Sequence, residues 1–131
     1  RMSSMLKRPV FLQIFTLACV LTVFAAMMPS MPGLPGPIGD KLQHTVAFVT
    51  VTILAALAFP TLRPATLLLG MATFGGLIEL LQLIPLVHRD ADLADWLVDC
   101  AAIVGAAPLA IVARSLLARD TDPNACKNRA P

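Results

Sequence analysis

The 131-residue chain is 57% hydrophobic and 14% charged, with a mean hydropathy of +0.79 and a net charge of only +2. A soluble domain carries roughly 25% charged residues, so this composition excludes that class and predicts an integral membrane protein. The basic residues flank apolar stretches and form no separate patch, which argues against nucleic acid as a partner.

Four apolar stretches predict an all-α membrane protein, a four-transmembrane-helix bundle in residues 1–119. About 20 residues, each rising about 1.5 Å, cross a hydrocarbon core of about 30 Å. The predicted helices cover residues 9–28, 42–59, 65–84 and 93–117, and residues 120–131 form a polar tail. Residues 29–39 hold four prolines and three glycines, so we expect a non-helical connection there.

The first apolar stretch follows a short basic start and therefore also fits a signal peptide. A cleavage after Ala26 would place Phe24 where a small residue is wanted. We therefore expect this stretch to be a retained first helix.

The basic residues are divided unequally between the two sides of the predicted bundle. With four spans, both termini share one side. That side carries Arg1, Lys7, Arg8, Arg63, Arg114, Arg119, Lys127 and Arg129, and the other side carries only Lys41 and Arg89. The positive-inside rule therefore predicts that the N and C termini are cytoplasmic.

A lone carboxylate, Glu79, lies within the third apolar stretch. Such residues in membrane segments face the protein interior or water. Helices two and four bring further polar residues to a similar depth, among them His44 and an i, i+3, i+7 stripe of aspartates on one helix face. The spacing therefore predicts an acidic pocket, open to the outer surface, that is built from Asp40, Lys41, His44, Glu79, Gln82, Arg89, Asp92, Asp95 and Asp99.

Three functions are compatible with this pocket. In the first, the protein binds a lipid headgroup or a lipid-linked precursor, with Lys41, His44 and Arg89 meeting an anion. In the second, it is a membrane-embedded enzyme with Glu79 or His44 as general base and a divalent metal held by the aspartates. In the third, it is a proton- or ion-coupled transporter with Glu79 as the carrier. Four spans are few for a transporter, so the chain would have to form a homo-oligomer.

A purely structural role is the alternative to all three, with Lys41 and Arg89 neutralising the acids and locking the helices together. We favour binding over catalysis. The sequence does not identify particular metal ligands, but a divalent metal remains a possible cofactor. The bilayer is the one partner that composition itself implies.

Three short motifs in this region resemble the VanZ-like family, small bacterial membrane proteins named for a teicoplanin-resistance protein. Asp40 to His44 match DKxxH at a helix start, with an aromatic residue following at Phe48. Gly75 to Gln82 match GxxxExxQ. The third match is an arginine followed by DxxDxxxN, formed here by Arg89, Asp92, Asp95 and Asp99, with Asp99 standing where the family has asparagine.

The resemblance implies a multi-pass protein of the bacterial cytoplasmic membrane. It also implies a link to glycopeptide resistance, specifically to teicoplanin, which carries a lipid tail and acts at the outer membrane surface. An outward pocket is compatible with handling such a lipidic or cell-envelope molecule. Asp99 adds a carboxylate that the family pattern lacks, and this changes the charge of the site.

Overall fold

The computed structural model describes residues 2–28, 36–85 and 92–120, which form four helices. They are α1 (Met2–Met27), α2 (Gly36–Ala58), α3 (Pro64–Gln82) and α4 (Leu93–Asp120). Each contains a segment long and apolar enough to cross a membrane, over Arg8–Met27, Gly39–Ala58, Pro64–Gln82 and Leu93–Ala118. The predicted all-α, four-helix membrane architecture is confirmed, and the orientation of the termini stays a prediction.

The helix ends differ from those predicted. α2 begins at Gly36, six residues before the predicted start, so the expectation of a non-helical connection was wrong for residues 36–39. Pro37 lies in the first turn, where a backbone N–H has no intrahelical acceptor, and its missing N–H is therefore tolerated. α3 ends at Gln82 and α4 continues to Asp120, the first residue of the predicted tail. Residues 29–35 and 121–131 lie outside the described part of the chain.

α2 lies at the centre of the bundle. It packs most extensively against α4, while α1 packs on α2 and α3 packs on α4. The largest fully buried apolar side chains are Phe48, Val51, Ile78 and Ile103, and alanines fill much of the remaining core. The outward faces carry many large exposed hydrophobic residues, as expected for helices that face lipid.

The two ends of the bundle differ in chemistry. At one end, the Arg114 guanidinium donates to the Leu62 carbonyl at 3.0 Å and ties α4 to the turn between α2 and α3. At the opposite end, the start of α2, the end of α3 and the start of α4 bring polar side chains together. Below this polar end, the Trp96 indole N–H donates to the Ala72 carbonyl at 3.0 Å and joins α4 to α3.

Candidate functional site

The centre of the polar end is a pair formed by His44 on α2 and Asp99 on α4. His44 Nδ1 lies 2.9 Å from Asp99 Oδ1, and the two residues are 4% and 0% exposed. The Phe48 ring, one turn along α2, lies nearly parallel to the imidazole with centroids 6.5 Å apart. This packing and the hydrogen bond fix the orientation of the imidazole.

Glu79 reaches the same centre from α3, although α3 is not the main partner of α2. Its Oε2 accepts a hydrogen bond of 3.1 Å from the Asp92 backbone N–H, which holds the end of α3 against the start of α4. A ring nitrogen of His44 and one carboxylate oxygen each from Glu79 and Asp99 all lie within 4.8 Å of one another. We call these three residues the inner cluster.

A second layer of charge lies nearer the helix ends. The Lys41 ammonium donates to Asp95 Oδ1 at 2.8 Å, joining α2 to α4. The Lys41 side chain is 38% exposed, whereas that of Asp95 is only 9% exposed. Asp40, His44 and Asp95 also place one ligand atom each within 4.8 Å of one another, and we call them the outer set. His44 belongs to both groups and connects them.

Each of the three residues of the inner cluster has one bonded atom and one buried atom without a partner. His44 Nδ1 and Asp99 Oδ1 bind each other, and Glu79 Oε2 binds the Asp92 backbone. Among the described residues, His44 Nε2, Glu79 Oε1 and Asp99 Oδ2 have no hydrogen-bond partner. Because buried polar atoms are nearly always paired, this arrangement is typical of a site that is completed by a ligand.

Two predicted pocket residues, Gln82 and Asp92, make contacts outside the inner cluster. Gln82 is buried, but its amide donates to the Ala26 carbonyl at 2.9 Å and ties α3 to the end of α1. Asp92 is exposed, and its Oδ1 accepts from the Ala94 backbone N–H at 2.8 Å, as a helix N-cap does. Arg89 lies outside the described residues, so its place in the pocket stays a prediction.

Gly75 beside the cluster and Thr52 further along α2 were not predicted as site residues. A Cβ atom added to Gly75 would lie 3.2 Å from Asp99 Oδ2 and 3.3 Å from Phe48 Cζ, so the missing side chain admits both groups. Thr52 is fully buried, two turns after His44, and its Oγ1 has no partner in the described ranges. Positions 44, 48 and 52 are four residues apart and therefore lie on one face of α2. This spacing is the feature of the sequence from which Thr52 could have been predicted.

An apolar crevice reaches the site from the side of α1. Its walls come from α1, α2 and α3, and it holds about 230 Å³ of space, open solvent included. It is lined by Thr22, Ala25, Ala26, Gln43, His44, Ala47, Phe48 and Ile78. The imidazole of His44 therefore has the carboxylates on one side and an apolar surface on another.

The described charges of the site are mostly negative. Five carboxylates, those of Asp40, Glu79, Asp92, Asp95 and Asp99, lie near only two groups that can be positive, Lys41 and His44. The site can therefore accept hydrogen bonds or hold a cation more readily than it can hold a bare anion.

Comparison with known proteins adds no family to this description. No protein-family model, curated protein or solved structure matches the chain. The resemblance of the three motifs to the VanZ-like family stays a prediction from the sequence.

Proposed function

We propose that this chain is a VanZ-like integral membrane protein that binds the polar headgroup of a cell-envelope amphiphile at the polar end of the bundle. The observation that supports this most directly is the apolar crevice that leads to His44. An amphiphile carries an apolar chain next to a polar headgroup. The crevice would hold the apolar chain, and the inner cluster would bind the headgroup.

The contacts of the site favour a particular kind of headgroup. The Lys41 ammonium is already bound to Asp95, so it is not a ready partner for an anion. Glu79 Oε1 and Asp99 Oδ2 are acceptors without a donor among the residues described. A headgroup rich in hydroxyl or amine groups would supply these donors, as the sugar of a lipid-linked cell-wall precursor does.

We also propose an orientation of the bundle in the membrane. The excess of basic residues on the side of the termini favours cytoplasmic termini, and the polar end then faces the outer surface of a bacterial cytoplasmic membrane, where glycopeptides act. Alkaline phosphatase fused after Pro85 should be active and fused after Asp120 inactive. The reverse pattern would overturn the outward orientation.

Native mass spectrometry of the detergent-purified protein tests the binding proposal. We expect a lipid adduct on the wild type that is lost from Ala47→Phe, because the larger ring fills the crevice beside His44. Ala107→Phe is the matched control, since Ala107 lines a different apolar crevice between α2, α3 and α4. An adduct that survives in Ala47→Phe, or a wild type without any adduct, would contradict the proposal.

A further inference from the structure

We propose that His44, Glu79 and Asp99 form a binding site for one divalent metal cation. One ligand atom from each residue lies within 4.8 Å of the other two. Two ligands that are each about 2.1 Å from a shared ion lie up to about 4.2 Å apart. A contraction of about half an ångström therefore brings the three side chains to coordination distance.

The contacts of the cluster already bring the proposed ligands close together. Metal-binding histidines and carboxylates are usually held by a second hydrogen bond from the surrounding protein. The bond of 3.1 Å from the Asp92 backbone to Glu79 supplies this support for one ligand. The contact of 2.9 Å between His44 Nδ1 and Asp99 Oδ1 joins two of the proposed ligands, and the ion would take its place. On each of the three residues, one further ligand atom is buried and unpartnered within the described part of the chain.

The balance of charge points to a divalent ion in the inner cluster. Glu79 and Asp99 carry two negative charges when ionised, which one divalent cation neutralises beside a neutral imidazole. The outer set of Asp40, His44 and Asp95 already has a cation, because the Lys41 ammonium lies 2.8 Å from Asp95. The inner cluster has no such ammonium among the residues described and is therefore the better place for the ion.

The ligand types narrow the choice of metal. Imidazole suits zinc, iron and related ions, and carboxylates suit magnesium, calcium and manganese. One imidazole with two carboxylates fits a Mn²⁺- or Zn²⁺-type ion, with the remaining coordination positions taken by water or a ligand. Mn²⁺ is the better probe, because Cys100 follows Asp99 in the chain and Mn²⁺ has little affinity for thiols.

Mn²⁺ binding to the detergent-purified protein, followed by electron paramagnetic resonance, tests the site without any lipid. We expect one Mn²⁺ per chain and, in pulsed experiments, coupling of the manganese to a histidine nitrogen. Glu79→Gln and Asp99→Asn, which keep the size of each side chain, should each weaken binding more than about tenfold. Asp120→Asn is the control: it removes one carboxylate at the other end of α4, so binding should not change.

Several outcomes would overturn the metal site. These are a wild type that binds no Mn²⁺, a bound Mn²⁺ without nitrogen coupling, or unchanged affinity in Glu79→Gln. An equal loss in Asp120→Asn would show adventitious binding to surface carboxylates. A loss in Asp95→Asn without a loss in Glu79→Gln would move the ion to the outer set. Circular dichroism confirms that each variant is folded, and if Asp99→Asn is not, Glu79→Gln decides.

Discussion

Asp99 is completely buried, yet within the described residues only one of its two carboxylate oxygens has a partner. A buried polar atom without a partner costs about 1–3 kcal/mol, and the inner cluster holds one such atom on each of its three residues. A cluster selected only to hold helices together would pair these atoms with one another or replace them by apolar groups, which is often neutral or stabilising. Their presence favours a ligand-binding role.

The Lys41–Asp95 pair should respond asymmetrically to removal of each partner. Lys41→Met leaves the Asp95 carboxylate buried without its cation, whereas Asp95→Asn leaves an ammonium whose side chain is 38% exposed and can reach water. Thermal unfolding in detergent should therefore show a larger fall in the midpoint for Lys41→Met than for Asp95→Asn. Equal falls, or a larger fall for Asp95→Asn, would show that burial does not set the energetics of this pair.

Among the elements, α3 approaches the cluster most closely at Gly75. A methyl group there would press on Asp99 Oδ2 and on the Phe48 ring, at 3.2 and 3.3 Å. Both neighbours are buried and cannot move away easily. We therefore expect Gly75→Ala to lower the free energy of unfolding by about 1–3 kcal/mol, the usual range for overpacking.

Gly105→Ala on α4 is the control for this prediction. A Cβ atom at Gly105 would meet nothing within 4 Å, and alanine favours a helix over glycine by up to about 1 kcal/mol. Gly105→Ala should therefore be neutral or stabilising in the same denaturation assay in detergent. If Gly75→Ala were equally well tolerated, the close approach of α3 to Asp99 would be wrong.

The sequence predicts a helix well where its length and polarity determine that it spans the membrane. It predicts less well those features that depend on a single contact. The four spans follow from apolar length, and the meeting of His44, Glu79 and Asp99 follows from their similar depth. The start of α2 could not be predicted, because prolines and glycines usually end helices but can also occupy a first turn. Nor could sequence spacing show that Gln82 binds the Ala26 carbonyl, since that contact depends on how α1 packs.

The whole molecule separates a basic end from an acidic end across four membrane-crossing helices. Arg63 and Arg114 lie at one end, and the inner cluster and the Lys41–Asp95 pair lie at the other. The outward faces between them are apolar, so the cluster is reached from its own end or through the crevice beside α1. The proposed binding site therefore lies near one surface of the membrane.

The measurement that tests this account most directly is the thermal unfolding midpoint of Glu79→Gln beside the wild type, in detergent with a chelator and no added ligand. Glutamine keeps an acceptor for the Asp92 backbone N–H and removes the buried charge. Gln82→Leu, which deletes a structural hydrogen bond, should unfold at a lower temperature and serves as the reference. If the cluster is a binding site, Glu79→Gln will unfold at the wild-type temperature or above it. A midpoint as low as that of Gln82→Leu would show that Glu79 is there to hold the helices together, and would contradict the account.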